Sequence, residues 1–124
     1  LGRTLLALGK LPILVADKTP DVPLRTSIRQ TPSVEYGQYL SSIGGCRGCH
    51  GLNLSGGTVH GPPGTPPASN LTRAGIGNWS EAQFVRTLRT GKRPDDRELH
   101  ESMPWRQTAL MTDDELHAIW LYLR

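Results

Sequence analysis

Three stretches of the chain repeat apolar residues at helical spacing, and each opens with the polar pattern that starts a helix. The first begins at Ser33, whose hydroxyl can cap, and runs through Tyr36 and Leu40 to about Ile43, with Gly37 offering a point of close backbone approach. The second is announced by Ser80-Glu81-Ala82-Gln83, a capping box in which serine and glutamine side chains satisfy orphan N–H groups of the first turn. Trp79 and Phe84 stand as its hydrophobic staple and Gly91 as its stop, so a helix is predicted from about Glu81 to Thr90. Thr112-Asp113-Asp114-Glu115 repeats the device, with Met111 and Leu116 as the staple and two aspartates at the positive end of the helix dipole. The last helix is therefore expected from about Asp113 to Leu123. No stretch alternates in the manner of a strand, so the expected fold class is all-α.

Between these helices, residues 51–77 are mostly Gly, Pro, Ser, Thr and Asn. A compact domain tolerates so long an irregular segment only for a reason such as wrapping a cofactor. Residues 1–16 are apolar with Arg3 and Lys10 interspersed and are broken by Gly9 and Pro12, enough for a short amphipathic helix at most. Pro20, Pro23 and Pro32 make residues 17–32 an extended connector. The expected organisation is an N-terminal extension over 1–32, either packed on the domain or a juxtamembrane remnant, followed by one domain over 33–124.

Composition narrows the classes further. The length of 124 residues fits one domain. Gly 14 and Pro 10 make the chain loop-rich, below the roughly 25–30% that marks disorder. A net charge of +3 is too mild and too mixed to argue for nucleic acid, although an acidic partner surface stays open. No window approaches the ~20 apolar residues of a membrane span, and no internal period marks a solenoid. Positive charge does gather at Arg86, Arg89, Lys92, Arg93 and Arg97, interrupted by Asp95 and Asp96. That run reads equally as a docking surface and as the solvated face of a helix.

Both cysteines lie in Cys46-Arg47-Gly48-Cys49-His50, so neither a disulfide framework nor a four-cysteine zinc site is possible. C-x-x-C-H is the attachment motif of c-type haem. Two thiols three positions apart on a helical turn can add to the two vinyl groups of one porphyrin, and the next residue then projects its imidazole toward the iron. His50 is the proximal ligand candidate. A thioredoxin-like motif would want a strand before and a helix after, whereas Gly44 and Gly45 precede and Gly51, Gly56 and Gly57 follow. A zinc site would need a closely spaced histidine pair, and His60, His100 and His117 are far apart. Chance occurrence of the pentapeptide is the remaining alternative. Ligating imidazoles usually donate their free N–H to a carbonyl, and the expected acceptor lies in Gly61-Pro62-Pro63.

With this motif the chain resembles the class I monohaem cytochromes c, above all the bacterial domains that accompany membrane-bound dehydrogenase and respiratory complexes. The resemblance extends to Tyr36-Gly37-Gln38-Tyr39-Leu40, Ser69-Asn70-Leu71-Thr72, Gly75-Ile76-Gly77-Asn78-Trp79, Arg89-Thr90-Gly91-Lys92-Arg93-Pro94-Asp95, Met103-Pro104-Trp105 and the last helix, covering roughly 33–124. It implies a cytochrome c-like fold of a few helices around one covalently bound haem c. In it the first helix crosses the last, with Gly37, Leu40 and either Tyr36 or Tyr39 meeting Leu116, Trp120 and Leu123. Asn70 and Thr72 become candidates for a haem propionate, with turn formation equally open, and Trp105 joins Pro62 and Pro63 among candidate cofactor contacts.

The sixth ligand decides between a carrier and a catalyst, since iron held by one histidine is an open site. Met103, Met111, His60, His100 and His117 are the candidates. Met111 has its staple role, His117 reads as a face residue of the last helix, and His60 sits too near the attachment site. Met103 lies in a loop, turned from helical geometry by Pro104, and Met-Pro-Trp is where the resembling family places its axial methionine. His100 is the runner-up.

The function implied is single-electron transfer, with no catalysis of its own, between a dehydrogenase or quinol-oxidising complex and an acceptor such as a terminal oxidase. The competing class is a catalytic or sensory haem with a displaceable distal ligand; a fixed subunit of a larger complex is a third. In the family it resembles, such attachment takes place on the outer side of the bacterial cytoplasmic membrane, so the resemblance implies the periplasm or that membrane's outer face, with anchorage of a longer precursor left open.

Overall fold

Ser33 begins the first helix as its side chain predicts, its Oγ accepting the Tyr36 N–H at 3.1 Å ahead of α1 (Val34–Ile43). In this computed structural model residues 27–124 are described, and the readings made for residues 1–26 lie outside them. After α1 come α2 (Cys46–His50), α3 (Arg73–Ile76), α4 (Glu81–Thr90), α5 (Trp105–Thr108) and α6 (Asp113–Leu123). Both capping boxes form with both of their reciprocal hydrogen bonds, and Gly91 ends α4 at φ 71°, in the left-handed region. The four-residue α3 and α5 are too short to carry a helical period and were not predicted. Among the described residues there is no strand, only isolated bridges at Gly57–Ala68 and Lys92–Glu98, so the all-α expectation holds.

The core forms where α1 crosses α6. A Cβ on Gly37 would lie 1.9 Å from the Ala118 carbonyl oxygen and 2.9 Å from the Tyr122 Cβ, so only glycine permits this approach. Tyr36 and Leu40 are buried with Leu116, Ile119, Trp120 and Leu123. Leu116 is fully buried, a position where truncation to alanine typically costs 2–5 kcal/mol. Of the two tyrosines, Tyr36 takes the core position, while the exposed Tyr39 stacks on it with ring centroids 6.4 Å apart. Burial, and after it the neighbouring Glu115 carboxylate, raises the Tyr36 phenol above the ordinary tyrosine value.

Helix α4 joins this pair through Phe84, whose ring lies 5.3 Å from that of Trp120, and through His117 Nδ1, 2.5 Å from Glu81 Oε1. His117 thus has a carboxylate partner between helices, in keeping with its reading as a face residue. Met111 packs against the core beside its staple partner Leu116. The arginine run is largely neutralised by nearby carboxylates. Arg86 meets Asp96 at 2.6 Å, Arg89 meets Asp113 at 2.7 Å, and Arg97 meets Asp95 at 2.6 Å.

Candidate functional site

The attachment helix α2 starts one turn after α1, because Gly44 closes α1 and Gly45, at φ 73°, reverses the chain. Gly51, at φ 80°, ends it immediately after His50. One helical turn therefore carries Cys46, Cys49 and His50 on a fixed base. Both cysteines are free, Cys46 half-buried at the edge of the core and Cys49 exposed. Burial pushes the Cys46 thiol above its ordinary pKa.

His50 is buried, and its Nδ1 lies 2.7 Å from the carbonyl oxygen of Ser69. A carbonyl can only accept, so this bond puts the proton on Nδ1 and leaves the Nε2 lone pair for a metal. The acceptor is not in Gly61-Pro62-Pro63, as the sequence reading expected. The Pro62 carbonyl is committed to its own turn, accepting from the Thr65 N–H at 3.1 Å and the Thr65 hydroxyl at 2.8 Å, and Pro62 and Pro63 are both exposed.

Ser69 reaches His50 because the two ends of the irregular loop are clamped together. Gly57 and Ala68 exchange both backbone hydrogen bonds, at 3.1 and 2.8 Å, and the Leu71 N–H reaches the Leu54 carbonyl at 2.8 Å. Gly56 makes the approach possible, since a Cβ there would lie 2.4 Å from the Ala68 carbonyl oxygen. The Gly56 N–H in turn donates to the His50 carbonyl at 2.8 Å. Leu54, buried at φ 61°, is held in the left-handed region at a cost of about 1–2 kcal/mol for a non-glycine residue. Ser69 was absent from the candidate residues, since a backbone acceptor has no side-chain signature. Asn70 and Thr72 fill the turn role. Asn70 Oδ1 accepts from the Thr72 N–H at 2.8 Å and the Thr72 hydroxyl at 2.7 Å, and the Thr72 hydroxyl caps α3.

Met103 is half-buried against the core. Its position is set from below by α4. The Thr108 hydroxyl reaches the Leu88 carbonyl at 3.3 Å, Arg89 Nη1 donates to the Ala109 carbonyl at 2.5 Å, and Trp105 lies so close to Gly91 that a Cβ there would come 2.5 Å from the indole. The Arg106 guanidinium covers the same ring at 4.7 Å. The other candidates are placed differently. His100 is exposed, and its Nδ1 accepts the Ser102 N–H at 3.2 Å, while His60 is exposed as well.

The donor set suits haem c. It offers two free thiols on one turn, an adjacent buried imidazole with its tautomer fixed by a carbonyl, and a thioether packed against the core of the same small domain. This is the architecture of a helical haem-binding, electron-transfer domain. Residues 34–124 match the family described as cytochrome c, and the chain belongs to that family, with covalently bound haem c as its cofactor.

The fructose dehydrogenase cytochrome subunit of Gluconobacter japonicus is 33% identical over 101 residues, covering 74% of this chain and 21% of that protein. The cytochrome c subunit of alcohol dehydrogenase (quinone) from Gluconobacter oxydans (strain 621H) is 30% identical over 97 residues, covering 72% and 20%. The gluconate 2-dehydrogenase cytochrome c subunit of Pantoea cypripedii is 31% identical over 97 residues, covering 72% and 22%. The chain thus spans about a fifth of the length of these relatives.

Proposed function

We propose that this domain relays single electrons out of a dehydrogenase complex, with His50 Nε2 and Met103 Sδ as the two axial ligands of its haem and Cys46 and Cys49 as its covalent anchors. The observation that carries the reading is the bond between His50 Nδ1 and the Ser69 carbonyl, which prepares a buried imidazole to ligate through its other nitrogen. A bound haem supplies a reversible one-electron couple, and a thioether ligand sets its potential higher than a second imidazole does. The chain's own part is to hold both ligands without movement. His50 is fixed by the loop clamp, and Met103 by the segment braced on α4. The exposed Cys49 marks the face nearest an approaching redox partner.

The partner class follows from relatives that are cytochrome subunits of fructose, alcohol and gluconate dehydrogenases. The donor is then a dehydrogenase or quinol-oxidising subunit, the acceptor a quinone pool or terminal oxidase, and the compartment the periplasmic face of a bacterial membrane. Among the described residues no helix is long and apolar enough to cross a membrane. Asn70 and Thr72 serve as turn and cap residues that also leave the Asn70 amide N–H groups available to a propionate.

The optical spectrum of the loaded protein tests the ligand pair. The ferric form should show the weak far-red band of thioether ligation, and Met103→Ala should abolish it, lower the potential and open the iron to added ligands. A Met103→Ala spectrum identical to that of the parent would overturn the assignment. A high-spin parent spectrum would bring forward the catalytic or sensory reading.

A further inference from the structure

We propose that Arg47, inside the attachment motif, is a redox-tuning residue whose uncompensated positive charge favours the reduced form of the haem. The inference rests on the attachment role proposed for Cys46, Cys49 and His50. Arg47 is half-buried, and its Nη2 donates to the Tyr122 hydroxyl at 2.5 Å. Its Nε is buried and has no hydrogen-bond partner. Among the described residues no carboxylate lies within 4.0 Å of its guanidinium, whereas Arg86, Arg89, Arg93 and Arg97 each have one.

A partly desolvated cation resting on a neutral phenol is unfavourable for folding, and a simple strut between α2 and α6 would not need the charge. The position gives the charge a use. Arg47 sits between the two cysteines that anchor the porphyrin, and the vinyl-bearing rings they modify lie opposite the propionate-bearing ones. In a haem held by both cysteines the propionates would therefore stand on the far side of the ring from the motif. Reduction adds one electron to the iron centre and needs no proton from Arg47, which stays charged at any working pH. A fixed cation beside the porphyrin edge stabilises the state with one positive charge fewer, and partial burial limits screening by salt. The side chain that meets its guanidinium is the hydroxyl of Tyr122 on α6.

The test compares Arg47→Gln, Arg47→Lys and Tyr122→Phe in the haem-loaded protein, by redox titration against mediators after the optical spectrum of each has been recorded. An unchanged low-spin spectrum certifies the site, so a failure of the attachment reading shows there and not in the titration. Arg47→Gln should move the reduction equilibrium roughly three- to tenfold toward the oxidised form, the scale expected of one partly screened unit charge. Arg47→Lys and Tyr122→Phe keep the charge and should stay within about twofold of the parent. Arg47→Met is the second neutral variant should the glutamine form fail to mature, with the same expected shift. Equal shifts in the lysine and neutral variants, or no shift in the neutral ones, would assign Arg47 a purely structural role and end the proposal.

Discussion

The α1–α6 crossing and the loop from Gly51 to Gly77 are built on opposite principles. At the crossing, specificity comes from side-chain volume: Gly37 admits the Ala118 carbonyl, and Tyr36, Leu40, Leu116 and Trp120 fill the space around it. In the loop almost nothing is buried except Leu54 and Ile76, and shape comes from hydrogen bonds between backbone groups and short polar side chains. The crossing provides stability, and the loop aims one carbonyl at one imidazole. A region that wraps a cofactor does not need a core of its own, provided that its two ends are clamped where the ligand must be oriented.

The comparison breaks most decisively at Gly37. Gly37→Ala forces the two helices apart at a backbone contact that no rotamer change can relieve, and should destabilise the protein by about 3 kcal/mol, at the upper end for overpacking. Chemical denaturation of the loaded protein measures it, and a loss below about 1 kcal/mol would show that the crossing is softer than its geometry. Asn70→Ala asks the same of the loop. Losing the two bonds to Thr72 should cost about 1–2 kcal/mol and, unlike the change at Gly37, should also disturb the His50 spectrum at temperatures where the fold is intact.

The smallest effect concerns pH. Tyr36 keeps its proton in the folded state at a pH where the unfolded chain has begun to lose it. More protons are then bound to the native state, so stability falls as pH rises through the ordinary tyrosine range and beyond. Tyr36→Phe should flatten that alkaline limb while leaving neutral stability within about 1 kcal/mol, because one buried hydroxyl contributes little net energy. An unchanged alkaline slope in denaturation midpoints would show that other groups govern it.

Much of this is legible in the sequence alone. Caps and staples marked α1, α4 and α6 to within a residue, because those signals are local and act through the first turn alone. The attachment pentapeptide identified the cofactor, since thiol addition and metal ligation demand particular residue types at fixed spacing. The acceptor for His50 was misplaced for the complementary reason. Any residue offers a carbonyl, and which one reaches the imidazole depends on Gly56 letting the Ala68 segment close on its own loop. The turns of α3 and α5 were missed because four residues do not complete a pattern, and their shape is imposed by Asn70 and Gly91 from outside.

By itself, then, the sequence determined the helical class and the covalent haem, both of which depend on residue chemistry over a few adjacent positions. The tertiary structure decided which carbonyl fixes the imidazole, which tyrosine enters the core and which arginines meet a carboxylate, Arg47 not among them. The first two outcomes depend on residues far apart in the chain, brought together only when Gly37 and Gly56 let backbones touch.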